Sequence, residues 1–111
     1  MTVDTNSERT RISDRVGDSN KLADAEDISG GVEHGVGNVD SVSVFLSAEG
    51  AVDVKVELSP DAGRTWYTVP EGPVEFGAAG ESIVHLEYNA TGIRLTGTNG
   101  TAVTAKVREV V

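Results

Sequence analysis

The sequence predicts an all-β protein: a single antiparallel β-sandwich (jelly-roll or Ig-like) or a small closed barrel, carrying an extended N-terminal arm. Three observations predict it. After Gly37, apolar and polar residues alternate at period two. Turn residues interrupt that alternation at intervals of about eight to twelve residues, the spacing of sandwiches and small barrels. Before Gly37 there is no sustained periodicity and no aromatic residue. At 111 residues the chain has room for one ordinary domain, so it divides into a polar arm over 1–37 and a β-sandwich domain over 38–111.

In the arm, Ile12, Val16, Leu22 and Ile28 stand isolated among Ser, Asp, Asn, Thr and Arg. Such a segment cannot bury enough apolar surface to offset the entropy of ordering it. The four apolar residues are therefore expected to fill separate grooves on an assembly partner. Lys21-Leu22-Ala23-Asp24-Ala25-Glu26 are mostly adequate helix formers, which suggests a short, marginal helix around Ser19 to Ile28. The Gly-rich stretch from Gly30 to Gly37 reads as a flexible hinge. Deleting Met1 to Gly31 is then expected to leave the β-domain folded.

In the β-domain, Val42, Val44 and Leu46 alternate with Ser41, Ser43, Phe45 and Ser47. Val52, Val54, Val56 and Leu58 alternate with Asp53, Lys55, Glu57 and Ser59, which puts β-branched residues on one face and solvated groups on the other. Further strands are read at Thr65 to Val69, Val74 to Phe76, Ser82 to Tyr88, Gly92 to Thr96 and Ala102 to Val110. Their inward residues would be Val84, Leu86 and Tyr88, then Ile93 and Leu95, then Val103, Ala105 and Val107. Ala48-Glu49-Gly50 and Pro60-Asp61-Ala62-Gly63 suit tight hairpins, and Gly77 to Gly80, Asn89 to Gly92 and Thr98 to Gly100 complete the turns. Five aromatic residues are a thin supply for a core, so a face completed by another subunit is expected.

Eighteen acidic residues against nine basic ones give a formal net charge of -9. That field repels nucleic-acid phosphate and anionic lipid, so neither is an expected partner. No run approaches the roughly 18 to 20 apolar residues of a membrane span, which predicts a soluble chain. Met1 to Thr10 is polar and charged and lacks the apolar segment of a secretory signal. The absence of cysteine excludes disulfides, thiolate metal sites and thiol catalysis. The acid-rich, lysine-poor composition resembles that of proteins from halophilic cytoplasm.

Ser59-Pro60-Asp61-Ala62-Gly63-Arg64-Thr65-Trp66 fits the pattern S-x-D-x-G-x-T-W. It resembles the Asp-box of sialidases and related β-propellers. The resemblance implies a structural turn built on Ser59, Asp61, Gly63 and Trp66. The Asp carboxylate would accept backbone N–H bonds, the glycine would permit positive φ, and the indole would fold back on the hairpin. A propeller needs at least four blades, and this chain is too short for them, so no sialidase chemistry is carried over. Strand, turn, strand, then an apolar strand leading to Gly92-Ile93-Arg94-Leu95-Thr96 is also similar to small β-sandwich proteins of tailed viruses.

No catalytic or metal-binding residues are assigned, no cofactor is implied, and the chain is not expected to be an enzyme. His34 and His85 stand far apart with no cysteine, a poor basis for a transition-metal site. Asp24, Glu26 and Asp27 lack the spacing of a calcium loop and read as a solvated acidic run. No G-x-S-x-G elbow supports a Ser–His–Asp arrangement. Two N-x-T sequons, at Asn89 and Asn99, fall in predicted loops and matter only in an exported protein.

The viral resemblance implies a virion structural protein of a tailed virus of a halophilic archaeon. It would be capsid-associated (decoration, turret or minor capsid protein) or part of the tail, made in the host cytoplasm and resident in the virion. Copies of itself, as a homo-oligomer, and other virion proteins such as the major capsid protein would be its partners. A reading of a different class is a carbohydrate-binding β-sandwich module, with Trp66, Tyr67 and Tyr88 as a stacking platform.

Overall fold

The structure, a computed structural model, describes residues 21–110. Among these the regular elements are nine strands: β1 (Lys21–Asp27), β2 (Val32–Val39), β3 (Ser41–Ala48), β4 (Val52–Ser59), β5 (Tyr67–Thr68), β6 (Val74–Phe76), β7 (Gly80–Leu86), β8 (Ala90–Gly97) and β9 (Ala102–Val110). They pair antiparallel in two sheets. Sheet 1 has the order β1-β9-β3-β7, and sheet 2 the order β2-β8-β4-β5, with β6 also against β4. First strand beside last and second beside next-to-last, in opposite sheets, is the nesting of a jelly-roll. Of the alternatives the sequence left open, the strand order selects this one.

The period-two faces meet between the sheets. Val42, Val44 and Leu46 of β3, and Val103, Ala105 and Val107 of β9, face Val52, Val54, Val56 and Leu58 of β4 together with Ile93 and Leu95 of β8. The inward residues expected for β3, β4, β8 and β9 are buried. On β7, Leu86 is buried and Val84 packs against the core. Tyr88 is not an inward strand residue: β7 ends at Leu86, and Tyr88 is exposed on the connection to β8. The strand expected at Thr65 to Val69 shrinks to Tyr67–Thr68, because the turn before it holds Thr65 in its own hydrogen bonds.

The largest departure from expectation is the second half of the arm. Residues 21–39 are not an appendage; they are two strands of the sandwich, so the domain begins before residue 38. The helix expected around Ser19 to Ile28 is replaced over 21–27 by a strand that pairs with β9. Two register shifts, and a positive φ of 50° at Ala25, break its alternation. The Gly30 to Gly37 stretch expected as a hinge is the end of a turn at Gly30 and Gly31 followed by strand β2, which pairs with β8. Val32, His34 and Val36 keep period two. Between Gly35 and Val39 the register shifts, four residues of β2 spanning two of β8, with Gly37 at φ 64°, and Val39 is buried.

Ile28 links these two strands and is 1 % exposed. Its carbonyl accepts hydrogen bonds from the Gly31 and Gly97 amides at 2.9 and 3.0 Å. Gly97 leaves little room for a side chain, since an added Cβ would stand 3.2 Å from the Ile28 side chain, which would have to give way by a few tenths of an ångström. Leu22 packs partly buried against the same core. Both residues are therefore core positions of this chain rather than groove-fillers on a partner. Ile12 and Val16, the other two arm positions, lie outside the described residues.

Candidate functional site

The turn at Ser59 to Trp66 joins β4 to β5, and its hydrogen bonds are local. The buried Ser59 hydroxyl accepts from the Asp61 and Gly63 amides at 3.2 and 2.8 Å and donates to Asp61 Oδ1 at 2.9 Å. The Asp61 carboxylate accepts from the Thr65 amide at 2.9 Å and from the Thr65 hydroxyl at 2.7 Å. These bonds from Thr65, the hydroxyl first, hold the Asp61 carboxyl below its ordinary range, because they favour the charged form. Ala62 and Gly63 take φ of 61° and 90°, the left-handed backbone that reverses the chain. The Ala62 amide donates to Thr91 Oγ1 at 2.8 Å, which ties the turn to β8.

Trp66 folds back onto this turn as the motif implies. Its six-membered ring meets Gly63 and Gly92, where an added Cβ would stand 3.5 and 3.3 Å away. The Arg94 guanidinium lies 4.6 Å from the ring centroid, within cation–π range. Arg94 Nε also donates to Glu57 at 2.8 Å, and Glu57 is only 6 % exposed. That hydrogen bond is the main reason the Glu57 carboxyl sits below its ordinary value. The four turn residues named from the motif are thus brought together in one turn.

On the other side of the same turn lies an apolar cleft of about 210 Å³. Leu58, Pro60, Val69, Pro70 and Ala90 contribute to its walls, and Tyr67 and Tyr88 stand at it together. Tyr67 is 64 % exposed and Tyr88 is 37 % exposed, unusual for aromatic side chains beside an unfilled apolar surface. The Tyr88 hydroxyl donates to both oxygens of Glu71, at 3.2 and 3.0 Å. That bond stabilises the neutral phenol and raises the Tyr88 pKa above its ordinary value. Asn89 Nδ2 donates to the Val39 carbonyl at 2.9 Å, which fixes the loop bearing Tyr88. Residues with an apolar face, a hydroxyl tip and an amide suit holding a ring. The lining carries no histidine, carboxylate or amine to move a proton.

The platform proposed from sequence therefore divides. Tyr67 and Tyr88 share a cleft, whereas their neighbour Trp66 turns to the opposite side and packs on glycine. Tyr88 reads in sequence both as a platform residue and as an inward strand residue, and the structure keeps only the first. Tyr88 continued the inward phase of β7, and nothing local marked the end of that strand.

Two histidine contacts also went unforeseen. His34 Nε2 lies 3.2 Å from Glu109 Oε2, across from sheet 2 to sheet 1. On the outer face of sheet 1, Ser43 Oγ lies 2.8 Å from His85 Nδ1, and His85 Nε2 lies 3.4 Å from Glu87 Oε2. The order matches a nucleophile–base–acid relay, but its surroundings do not. Glu87 is 81 % exposed at its side chain. β3 pairs on both flanks, so its amides are engaged in the sheet and do not converge on an oxyanion. Among the described residues, no three His, Cys, Asp or Glu side chains gather as a metal site.

No protein-family model matches the chain, and no curated protein does. Solved structures do resemble it. A putative α-L-fucosidase from Bacteroides thetaiotaomicron is 18 % identical with a TM-score of 0.55, over 92 % of this chain and 25 % of that one. A Clostridium perfringens protein described as CpGH89CBM32-6 is 11 % identical with a TM-score of 0.51, over 93 % of this chain and 88 % of that one. Chitosan-binding module 1 of a chitosanase/glucanase from Paenibacillus sp. IK-5 is 18 % identical with a TM-score of 0.50, over 83 % and 78 %. At such identities the likeness shows the shared β-sandwich fold. This chain spans about a quarter of the fucosidase.

Proposed function

We propose that this chain is a non-catalytic carbohydrate-binding module that holds a sugar ring at the cleft between Tyr67 and Tyr88. One observation carries the reading: two exposed tyrosines, one from β5 and one from the connection between β7 and β8, line one apolar cleft whose margin carries hydroxyl and amide groups. Aromatic faces accept the apolar side of a pyranose, while hydroxyl and amide tips bond its edge. The volume lies below the roughly 300 to 1,000 Å³ of drug-sized ligand sites, which suits one ring at a time. The sandwich shared with a chitosan-binding module supports the same reading. No comparison bears on a capsid or tail role, and the carbohydrate alternative takes precedence over it.

The test is calorimetric titration of the full chain with a panel of neutral and charged oligosaccharides. Tyr67→Ala and Tyr88→Ala should each weaken binding at least about tenfold, roughly 1.4 kcal/mol. Their melting temperatures should stay close to that of the parent, because exposed side chains contribute little to folding. Absence of binding across the panel, or full binding by both variants, would refute the proposal.

A further inference from the structure

Charge around the tyrosine cleft is one-sided. Among the described residues no charged side chain lines it, and three carboxylates touch its lining residues, the first being Asp61, whose Oδ1 lies 2.9 Å from Ser59 Oγ. Glu71 is held at the rim by both of its hydrogen bonds from Tyr88 Oη, at 3.2 and 3.0 Å. Asp40 Oδ1 lies 3.5 Å from Nδ2 of the lining residue Asn89. Among the described residues the bases lie elsewhere. Lys55 and Arg94 contact Glu57 on the outer face of sheet 2, at 3.9 and 2.8 Å. Lys21 contacts Asp24 at 3.5 Å, and Lys106 borders Phe45 and Ile83 on sheet 1. Arg64 sits exposed in the turn and does not line the cleft. Around all of this the whole chain carries a net charge of -9.

Resting on the carbohydrate reading above, we propose that the cleft selects amino-sugar glycans bearing a free ammonium group, with Glu71 as the residue that reads the charge. The Tyr88 hydroxyl uses its single proton on Glu71, so the carboxylate is oriented at the rim while keeping lone pairs free for a second donor. An ammonium on a sugar stacked against the Tyr88 ring would meet that carboxylate as a charge-assisted hydrogen bond. Acetylating the amine removes the charge. A uronate places a negative charge beside Glu71 and Asp40, and no base among the described residues lines the cleft to offset it. The chain's overall charge adds a longer-range attraction that salt screens, and the local contact is screened less.

The experiment titrates the full chain with three oligomers of equal length: glucosamine, N-acetylglucosamine and a uronic acid. All three titrations share one mildly acidic buffer, which keeps the sugar amine protonated. Glucosamine should bind about tenfold more tightly than its acetylated counterpart, a difference of roughly 1.4 kcal/mol, with the uronate weakest. Glu71→Gln should bring the ratio between the first two close to one. Raising salt should weaken glucosamine binding and leave N-acetylglucosamine binding nearly constant, a readout that needs no variant. Equal or tighter binding of the acetylated oligomer or the uronate overturns the inference and leaves the carbohydrate reading standing. So does a preference that survives Glu71→Gln. If none of the three binds and the neutral panel also fails, the carbohydrate reading falls with it.

Discussion

Ser59 shows how much of a turn one small hydroxyl can organise. It is buried at the end of β4, and it satisfies two amides while donating to Asp61. Ser59→Ala strands those amides, and each unsatisfied buried group costs about 1–3 kcal/mol, so the urea midpoint should fall clearly. An unchanged midpoint would mean that water substitutes for the hydroxyl. Asp61 and Glu57 add a pH dependence of known sign. Both folded pKa values are depressed, so their contribution is present above the unfolded carboxyl range and is lost as pH falls through the lower folded values. Melting temperature should therefore drop on acidification below about pH 4, and the acid limb should be shallower in Asp61→Asn and Glu57→Gln variants. A parallel acid limb in both variants would assign the acid loss to other carboxylates. The turn was legible in sequence because every bond in it spans at most four residues apart from the Thr91 tie. The partnership of Glu57 with Arg94 was not, because it depends on which strand lies beside β4.

Strands were legible where side chains are β-branched and the ladder is regular, and illegible where it is bulged. β4 could be read from Val52, Val54, Val56 and Leu58 alone. β1 and β2 could not, because a register shift in each sends successive apolar residues out of phase, and Gly35 and Gly37 carry no side chain to show a face. The consequence for the chain's architecture is testable by truncation. Ile28 is among the largest fully buried side chains, so Ile28→Ala should cost about 2–5 kcal/mol. Deleting residues 1–31 removes that side chain together with β1 and leaves β9 without a neighbour on one flank. That truncated chain should lose its cooperative thermal transition. A deletion that keeps native-like melting would show that β1 and Ile28 are dispensable.

For the molecule as a whole, the fold class followed from alternation and turn spacing, while the assignment of strands to sheets did not. Each strand's period-two face says that it packs on something, but not on which partner. The net charge of -9 acts at this scale too. Self-repulsion in the compact state should be relieved by salt, so the melting temperature should rise between dilute buffer and about 1 M KCl, where the Debye length is near 3 Å. Equal midpoints would show that the acidic groups are spaced widely enough not to oppose folding.

The pairing of β1 with β9 also sets an order of events during synthesis. β1 leaves the ribosome well before β9, the strand it pairs with. β2 likewise waits for β8. At roughly 5–20 residues per second, several seconds separate the first strand from its neighbour. During that interval Leu22 and Ile28 have no sheet to cover them, and closure of the sandwich waits for β9, with long loops to close. Nascent chains stalled before residue 102 should remain protease-sensitive throughout, and resistance should appear in one step once β9 has emerged.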